Sequence, residues 1–365
     1  MLNFEQKINY IRTFRGHTDF SNLRIILNDE SQPYQILYET IEILKNYDTD
    51  FLEKYFKTSL ARIDEILIYY GLAKYLKSIL LIELSLAELI QVKIKLCCLI
   101  LSLKTDNWKI VNDSLSNLFS VSRNLRASAI ETISNVVDSS EFSKLNIYIE
   151  KLLASDIDDV DGAELKEVLL TLFSQNKWFT GIVVYYLKKE NIKLDAGQLK
   201  MIDELKNNTD LCIREAFNYY NSLLEKDQFP VFEEMILLRN VSIFKELDSH
   251  GLKLLGIMAD EVFVKSGSKI FLEGDIGDAL YVIASGKVRI YKENNENIAV
   301  LSNNQYFGEF AVLSNEKRLA SALATEDTLL IRITKEKFMA LLQKYPVIIF
   351  PIFQNLIGKI ISKKT

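Results

Sequence analysis

The spacing of apolar residues changes near position 240, and that change constrains the fold of this 365-residue chain more than any other feature. Upstream, apolar residues recur every three or four positions: Leu60, Ile63, Leu67, Tyr70; Val111, Leu115, Leu118, Phe119; Leu125, Ile130, Ile133, Val137. This is the period of amphipathic helices. Downstream the period becomes two, in short β-branched or aromatic runs at 261–264, 269–272, 280–283, 287–291, 298–301, 320–324 and 328–333, joined by Gly, Asn or Asp turns. At least seven short strands at such intervals imply an antiparallel roll. The expected fold is therefore α + β and multidomain. An all-α helical array occupies 1–240, and an antiparallel, jelly-roll-like β-roll with flanking helices occupies 241–365. Helical periodicity returns after Lys335, interrupted by Pro346 and Pro351.

In the first part, polar breaks at 104–107, 122–124, 138–140 and 158–162 have the lengths expected between antiparallel helical neighbours. Asp106 or Asn107 and Ser122 are suited to cap the helices that follow them. About ten helices with no intervening strand suggest a bundle or a solenoid of stacked helix pairs. Helices expected at 108–121, 124–137 and 142–154 resemble HEAT-like repeats, most closely in Arg126-Ala127-Ser128-Ala129-Ile130-Glu131-Thr132-Ile133. The resemblance implies a surface for a protein partner.

Composition excludes several functions. The net charge is −5, from 44 basic and 49 acidic residues, so no global positive field is available to hold nucleic acid. Cys97, Cys98 and Cys212, with His17 and His250 far apart, are too few for a zinc site or a disulfide framework, and they assemble no Cys-His or Ser-His-Asp set. No catalytic or metal-ligating residue is assigned, and the chain is expected not to be an enzyme. The most apolar stretch, 76–103, is interrupted by Lys77, Glu83, Glu88, Lys93 and Lys95, which a membrane span would not tolerate. The charged N-terminus lacks the form of a secretory signal. A soluble, cytoplasmic protein is expected.

One turn of the roll carries chemistry. Tyr306-Phe307-Gly308-Glu309-Phe310-Ala311-Val312-Leu313 takes a strand into a glycine and then a short helix, and Arg318 follows nine residues after Glu309. Amides at a helix start lack intrahelical acceptors and favour an anion. Gly308 lets a ligand approach the main chain, and Arg318 can clamp a pair of anionic oxygens. Glu309 suits a hydroxyl donor instead. A phosphate beside a free hydroxyl describes a ribose 3′,5′-cyclic phosphate; a triphosphate would call for a Walker-type loop, which is absent from the sequence.

Residues 241–365 resemble the cyclic nucleotide-binding domain of protein kinase A regulatory subunits, catabolite activator-type regulators and cyclic nucleotide-gated channels. The resemblance begins at Val241-Ser242-Ile243-Phe244. It takes in Glu273-Gly274-Asp275-Ile276-Gly277-Asp278-Ala279-Leu280-Tyr281-Val282-Ile283-Ala284-Ser285-Gly286 and the cassette Phe307 to Leu313, and it ends at Arg318. It implies that Glu309 receives the ribose 2′-OH and Arg318 the cyclic phosphate, with amides of Phe310, Ala311 and Leu319 assisting. Leu319 departs from the small or hydroxyl residue common there, which disfavours cGMP relative to cAMP and narrows the expected pocket. Helix 335–342 and segment 345–361 would be hinge and lid, with Tyr345, Phe350 and Phe353 available to cap a base. No helix-turn-helix is recognised after the roll.

The expected function is a non-enzymatic regulator that binds a cyclic nucleotide, cAMP before cGMP, at Gly308, Glu309, Phe310, Ala311, Arg318 and Leu319 and relays it to the helical array. The expected partners are that nucleotide and a protein. Helical repeats followed by such a domain also resemble parts of bacterial transporter-like proteins related to nucleotide translocases, which admits a membrane protein as partner. No other cofactor is expected. The alternative is a scaffold whose roll has lost its ligand.

Overall fold

The change of apolar period becomes a change of secondary structure: among the described residues of the computed structural model, every element before Asp260 is helical and eight strands run from it onward. The structure describes residues 4–15, 19–30, 32–76, 79–103, 105, 107–120, 122–137, 139–154, 165–173, 175–223, 230–245, 247–292, 296–314, 316–345, 348–349 and 352–353. The chain divides into two compact units, Met1–Ile213 and Arg214–Thr365. The second unit thus begins ahead of the expected boundary at 240/241. Helix Val231–Arg239 belongs with helix Ser249–Met258, whose Gly256 lies so close to Val231 that a Cβ there would stand 3.2 Å from its Cγ2.

Within the first unit, helices Thr49–Leu76 and Leu80–Ser102 pack against one another. Helix Leu80–Ser102 lies within the core, with Leu81, Ile82, Ile90, Ile94, Leu96, Cys97, Cys98 and Leu99 all buried, which explains its high apolar content. Its buried Lys93 is neutralised by Glu30 at 2.9 Å, and Arg62 reaches the same carboxylate at 3.2 Å. Among the described residues, no helix is long and apolar enough to cross a membrane.

Asn107 and Ser122 occupy the N-cap positions expected of them, but neither side chain makes the capping bond; Asp106 lies outside the described residues. The helix expected over 108–121 ends at Leu115, and the neighbours expected at 124–137 and 142–154 run Arg123–Ser134 and Ser139–Leu153.

In the second unit the strands are β1 Asp260–Val264, β2 Lys269–Phe271, β3 Ala279–Ser285, β4 Val288–Tyr291, β5 Asn297–Leu301, β6 Tyr306–Phe307, β7 Ser321–Ala324 and β8 Thr328–Thr334. They form two open four-stranded sheets, ordered β1-β8-β3-β6 and β2-β7-β4-β5, and every pairing is antiparallel. The expected seven runs are all present. β6 is added as a two-residue strand on β3, with Tyr281 opposite Phe307. The core joins Ala279, Tyr281, Ile283, Val288, Phe307, Ala322 and Leu330, with Phe271 and Ile290 packed against it. Helix Lys335–Lys344 continues from β8, capped by the Thr334 hydroxyl, and the Lys335 amide donates to the Asp278 carbonyl at 2.8 Å.

Candidate functional site

The cassette is positioned by β6, which delivers Tyr306 and Phe307 into the core and then turns at Gly308 into helix Glu309–Ser314. Gly308 has φ +85°, and a Cβ there would lie 2.6 Å from Arg318 Nη1 and 3.2 Å from the Ala279 carbonyl. Glycine is required twice over, for its backbone conformation and for the side chain that fills the space beside it. On the other side of the helix, a Cβ on Gly277 would come within 2.1 Å of the Ala311 Cβ, so the β2–β3 loop and the cassette are in direct contact.

That loop is fastened to the chain around the arginine. The Gly274 amide donates to the Arg318 carbonyl at 2.9 Å, the Arg318 amide donates to the Asp275 carbonyl at 2.8 Å, and Ile276 bridges to Lys317. The Asp275 carboxylate receives the Leu272 amide at 2.7 Å, closing the turn, and the Glu273 amide donates to Ser321 Oγ at 2.9 Å. Residues 272–278 and 317–321 therefore form one wall beside the cassette.

Arg318 is 3% exposed and points inward. Its Nη1 donates to the Gly308 carbonyl at 2.9 Å and its Nη2 to the Ala279 carbonyl at 2.7 Å. Its countercharge is Asp278, 3.5 Å away and largely exposed, and Arg332 holds the same carboxylate more closely, at 2.6 Å. The guanidinium carbon lies 4.1 Å from the centre of the Phe271 ring. Burial lowers the Arg318 pKa, while Tyr281, Asp278, Asp275 and Glu309 oppose that shift. The buried Nε has no hydrogen-bond partner. A buried charged donor without an acceptor is costly, so this edge of the guanidinium is where an added anionic oxygen would gain most.

Of the sequence-selected residues, Gly308, Glu309, Ala311 and Arg318 come together: Glu309 and Ala311 are buried in the cassette helix beside Gly308, and Phe310 is half-buried. Glu309 also acts on Tyr306, whose phenol is raised above its usual range by burial and then by that carboxylate, with a hydrogen bond to Ser242 opposing. Leu319 is different. It is 55% exposed, and its carbonyl accepts from Lys292 Nζ at 2.5 Å. Its amide and those of Phe310 and Ala311 lie on the segments flanking the guanidinium.

Of the expected hinge, 335–342, the helix runs Lys335–Lys344; in the expected lid, Tyr345 packs toward Gly251 on helix Ser249–Met258, while Phe353 is exposed. Phe350 and most of 345–361 lie outside the described residues. Sequence reasoning gave no role to Phe271, Asp278, Ala279 or Arg332, although Asp278 and Ala279 stand within the Glu273 to Gly286 motif. Among the described residues no group of carboxylates, histidines and cysteines could hold a metal ion.

A profile of the cyclic nucleotide-binding domain matches residues 261–345. The chain is 40% identical over 86 residues to the cyclic AMP receptor protein of Thermus thermophilus, covering 22% of this chain and 40% of that protein. It is 33% identical over 106 residues to the cAMP-dependent protein kinase regulatory subunit of Candida albicans, covering 29% of this chain and 23% of that one. The solved catabolite activator protein of Thermus thermophilus aligns at 30% identity over 34% of this chain and 60% of its own, with a TM-score of 0.32. The chain thus spans less than half the length of the two curated relatives.

Proposed function

Given that residues 261–345 are a cyclic nucleotide-binding domain, we propose that the protein is a non-enzymatic regulator whose roll binds a cyclic nucleotide and relays its occupancy to the helical unit. The observation that carries this reading is the buried Arg318 guanidinium, whose Nε has no acceptor beside the turn at Gly308. A monoanionic cyclic phosphate supplies that acceptor. Glu309, next to Gly308 at the start of the cassette helix, is the group to receive the ribose 2′-OH, and the amides of Phe310, Ala311 and Leu319 add donors around the phosphate. The names of the relatives, a cyclic AMP receptor and a cAMP-dependent kinase subunit, support cAMP as the ligand. Leu319 offers no side-chain hydrogen bond to guanine, which favours adenine as the base.

Occupancy would act by population shift: the phosphate fixes the cassette, and the helix after Lys335, tied to Asp278, changes its packing. The partner contacted by the helical unit is a protein. A second reading, a scaffold with a silent roll, is favoured by the bonds that Arg318 already makes to Gly308 and Ala279.

Calorimetry with cAMP and cGMP separates the two readings. Charge-assisted hydrogen bonds contribute about 1.5 to 3 kcal/mol, so Arg318→Ala should weaken binding roughly ten- to hundredfold. Silence with both nucleotides at millimolar concentration supports the scaffold, and unchanged binding by Arg318→Ala removes this site from consideration.

A further inference from the structure

The Arg318 guanidinium does not sit among carboxylates alone; it lies on an aromatic shelf. Its carbon is 4.1 Å from the centre of the Phe271 ring and 5.8 Å from that of Tyr281. Phe271 in turn packs against Tyr281 at 5.9 Å and Phe307 at 5.8 Å, and Tyr281 and Phe307 are stacked, 5.4 Å apart with 15° between planes. Phe271 ends β2, Tyr281 lies on β3 and Phe307 on β6, so the shelf joins both sheets.

A cation near the face of an aromatic ring is attracted by the ring's quadrupole, more strongly when water is excluded. Here the ring is beneath a guanidinium that is almost fully buried, and two main-chain carbonyls hold both Nη atoms. Three contacts thus fix the guanidinium and leave Nε without an acceptor. A donor held in place before the ligand arrives loses little freedom on binding, and that raises affinity.

We infer that Phe271 is a positioning residue for anion binding: its ring holds the Arg318 guanidinium so that the Nε edge meets the ligand's phosphate oxygen. This inference rests on Arg318 being the phosphate-binding group. An aliphatic residue at 271 could fill the core but would offer no π face, so the cation would be less well held and free to rotate.

The test is calorimetry with cAMP and cGMP on the full chain as wild type, Phe271→Leu and Phe271→Tyr, with thermal melting of each. Phe271→Leu is expected to weaken binding about two- to thirtyfold, the range of cation–aromatic attraction, and Phe271→Tyr to restore wild-type affinity. Equal affinity in wild type and Phe271→Leu overturns the positioning role and leaves the site standing. A loss of the same size in Phe271→Leu and Phe271→Tyr also overturns it, because the π face would then be irrelevant. No binding by the wild type removes the site itself, and the inference with it. Should Phe271→Leu fail to fold, Phe271→Met gives the same comparison with better filling of the core.

Discussion

Gly277 and Ala311 approach so closely that a Cβ on the glycine would lie 2.1 Å from the alanine Cβ and 3.1 Å from its Cα. The second distance is to backbone, so the cassette helix itself would have to move. Overpacking of this kind costs about 1 to 3 kcal/mol. Gly277→Ala is expected to lower the melting temperature of the second unit and to weaken nucleotide binding at least tenfold. Melting followed by calorimetry measures both effects.

Asp278 balances Arg318 at 3.5 Å and Arg332 at 2.6 Å, and Arg332 also faces Asp260 at 3.7 Å, where Lys337 pairs at 3.2 Å. Asp278→Asn is expected to destabilise the chain by about 1 kcal/mol, the upper range for an exposed pair. Because the carboxylate is largely exposed, the difference from wild type should shrink in high salt. Urea titrations at low and high ionic strength provide the check.

Glu234 is buried on helix Val231–Arg239, and its pKa is pushed up to about 9 by burial, by Glu261, with which it also shares a hydrogen bond, and by Glu215 and Asp260. The folded protein therefore keeps a proton there that the unfolded chain releases above the ordinary glutamate value of 4.5. From that value up to about pH 9 the folded state binds the extra proton, so this group's contribution falls as pH rises, by at most about 1.4 kcal/mol per pH unit. Glu234→Gln should flatten that slope and be more stable than wild type at pH 8. Urea denaturation between pH 6 and 9 tests the sign.

Cys97, Cys98 and Cys212 are buried and outside any disulfide, and burial pushes the Cys97 thiol up to about 12 and that of Cys98 well above its usual value. The thiolate is the reactive form. Native protein at pH 8 should resist iodoacetamide at Cys97 and Cys98, and urea should release both. Mass spectrometry of the alkylated peptides reads the result.

The roll was legible because its runs are short, apolar and β-branched: Val262 and Val264 on β1 pack against the core at period two, whereas β3 is buried on both faces from Ala279 to Ile283. The helix expected to reach residue 121 stops at Leu115 for a reason that periodicity does not register. The Ser114 hydroxyl donates to the Ile110 carbonyl and the Ser116 hydroxyl to that of Asp113, while the following amides close tighter turns. At the site, Gly308 and Arg318 were recognisable by spacing, since a left-handed turn and a planar cation each need one residue type. What Arg318 bonds to was not. Main-chain carbonyls such as that of Ala279, 39 residues away, leave no residue-type signature.

The shared carboxylate of Asp278 makes the two arginines rivals. An anion bound to Arg318 competes with Asp278 for that positive charge and leaves the carboxylate more fully to Arg332 on β8, just ahead of the helix that starts at Lys335. Thermodynamic reciprocity then runs the other way as well: anything that tightens Arg332 on Asp278 loosens Arg318 and alters its appetite for an anion. A grip applied at the end of the last strand would be felt in the cassette.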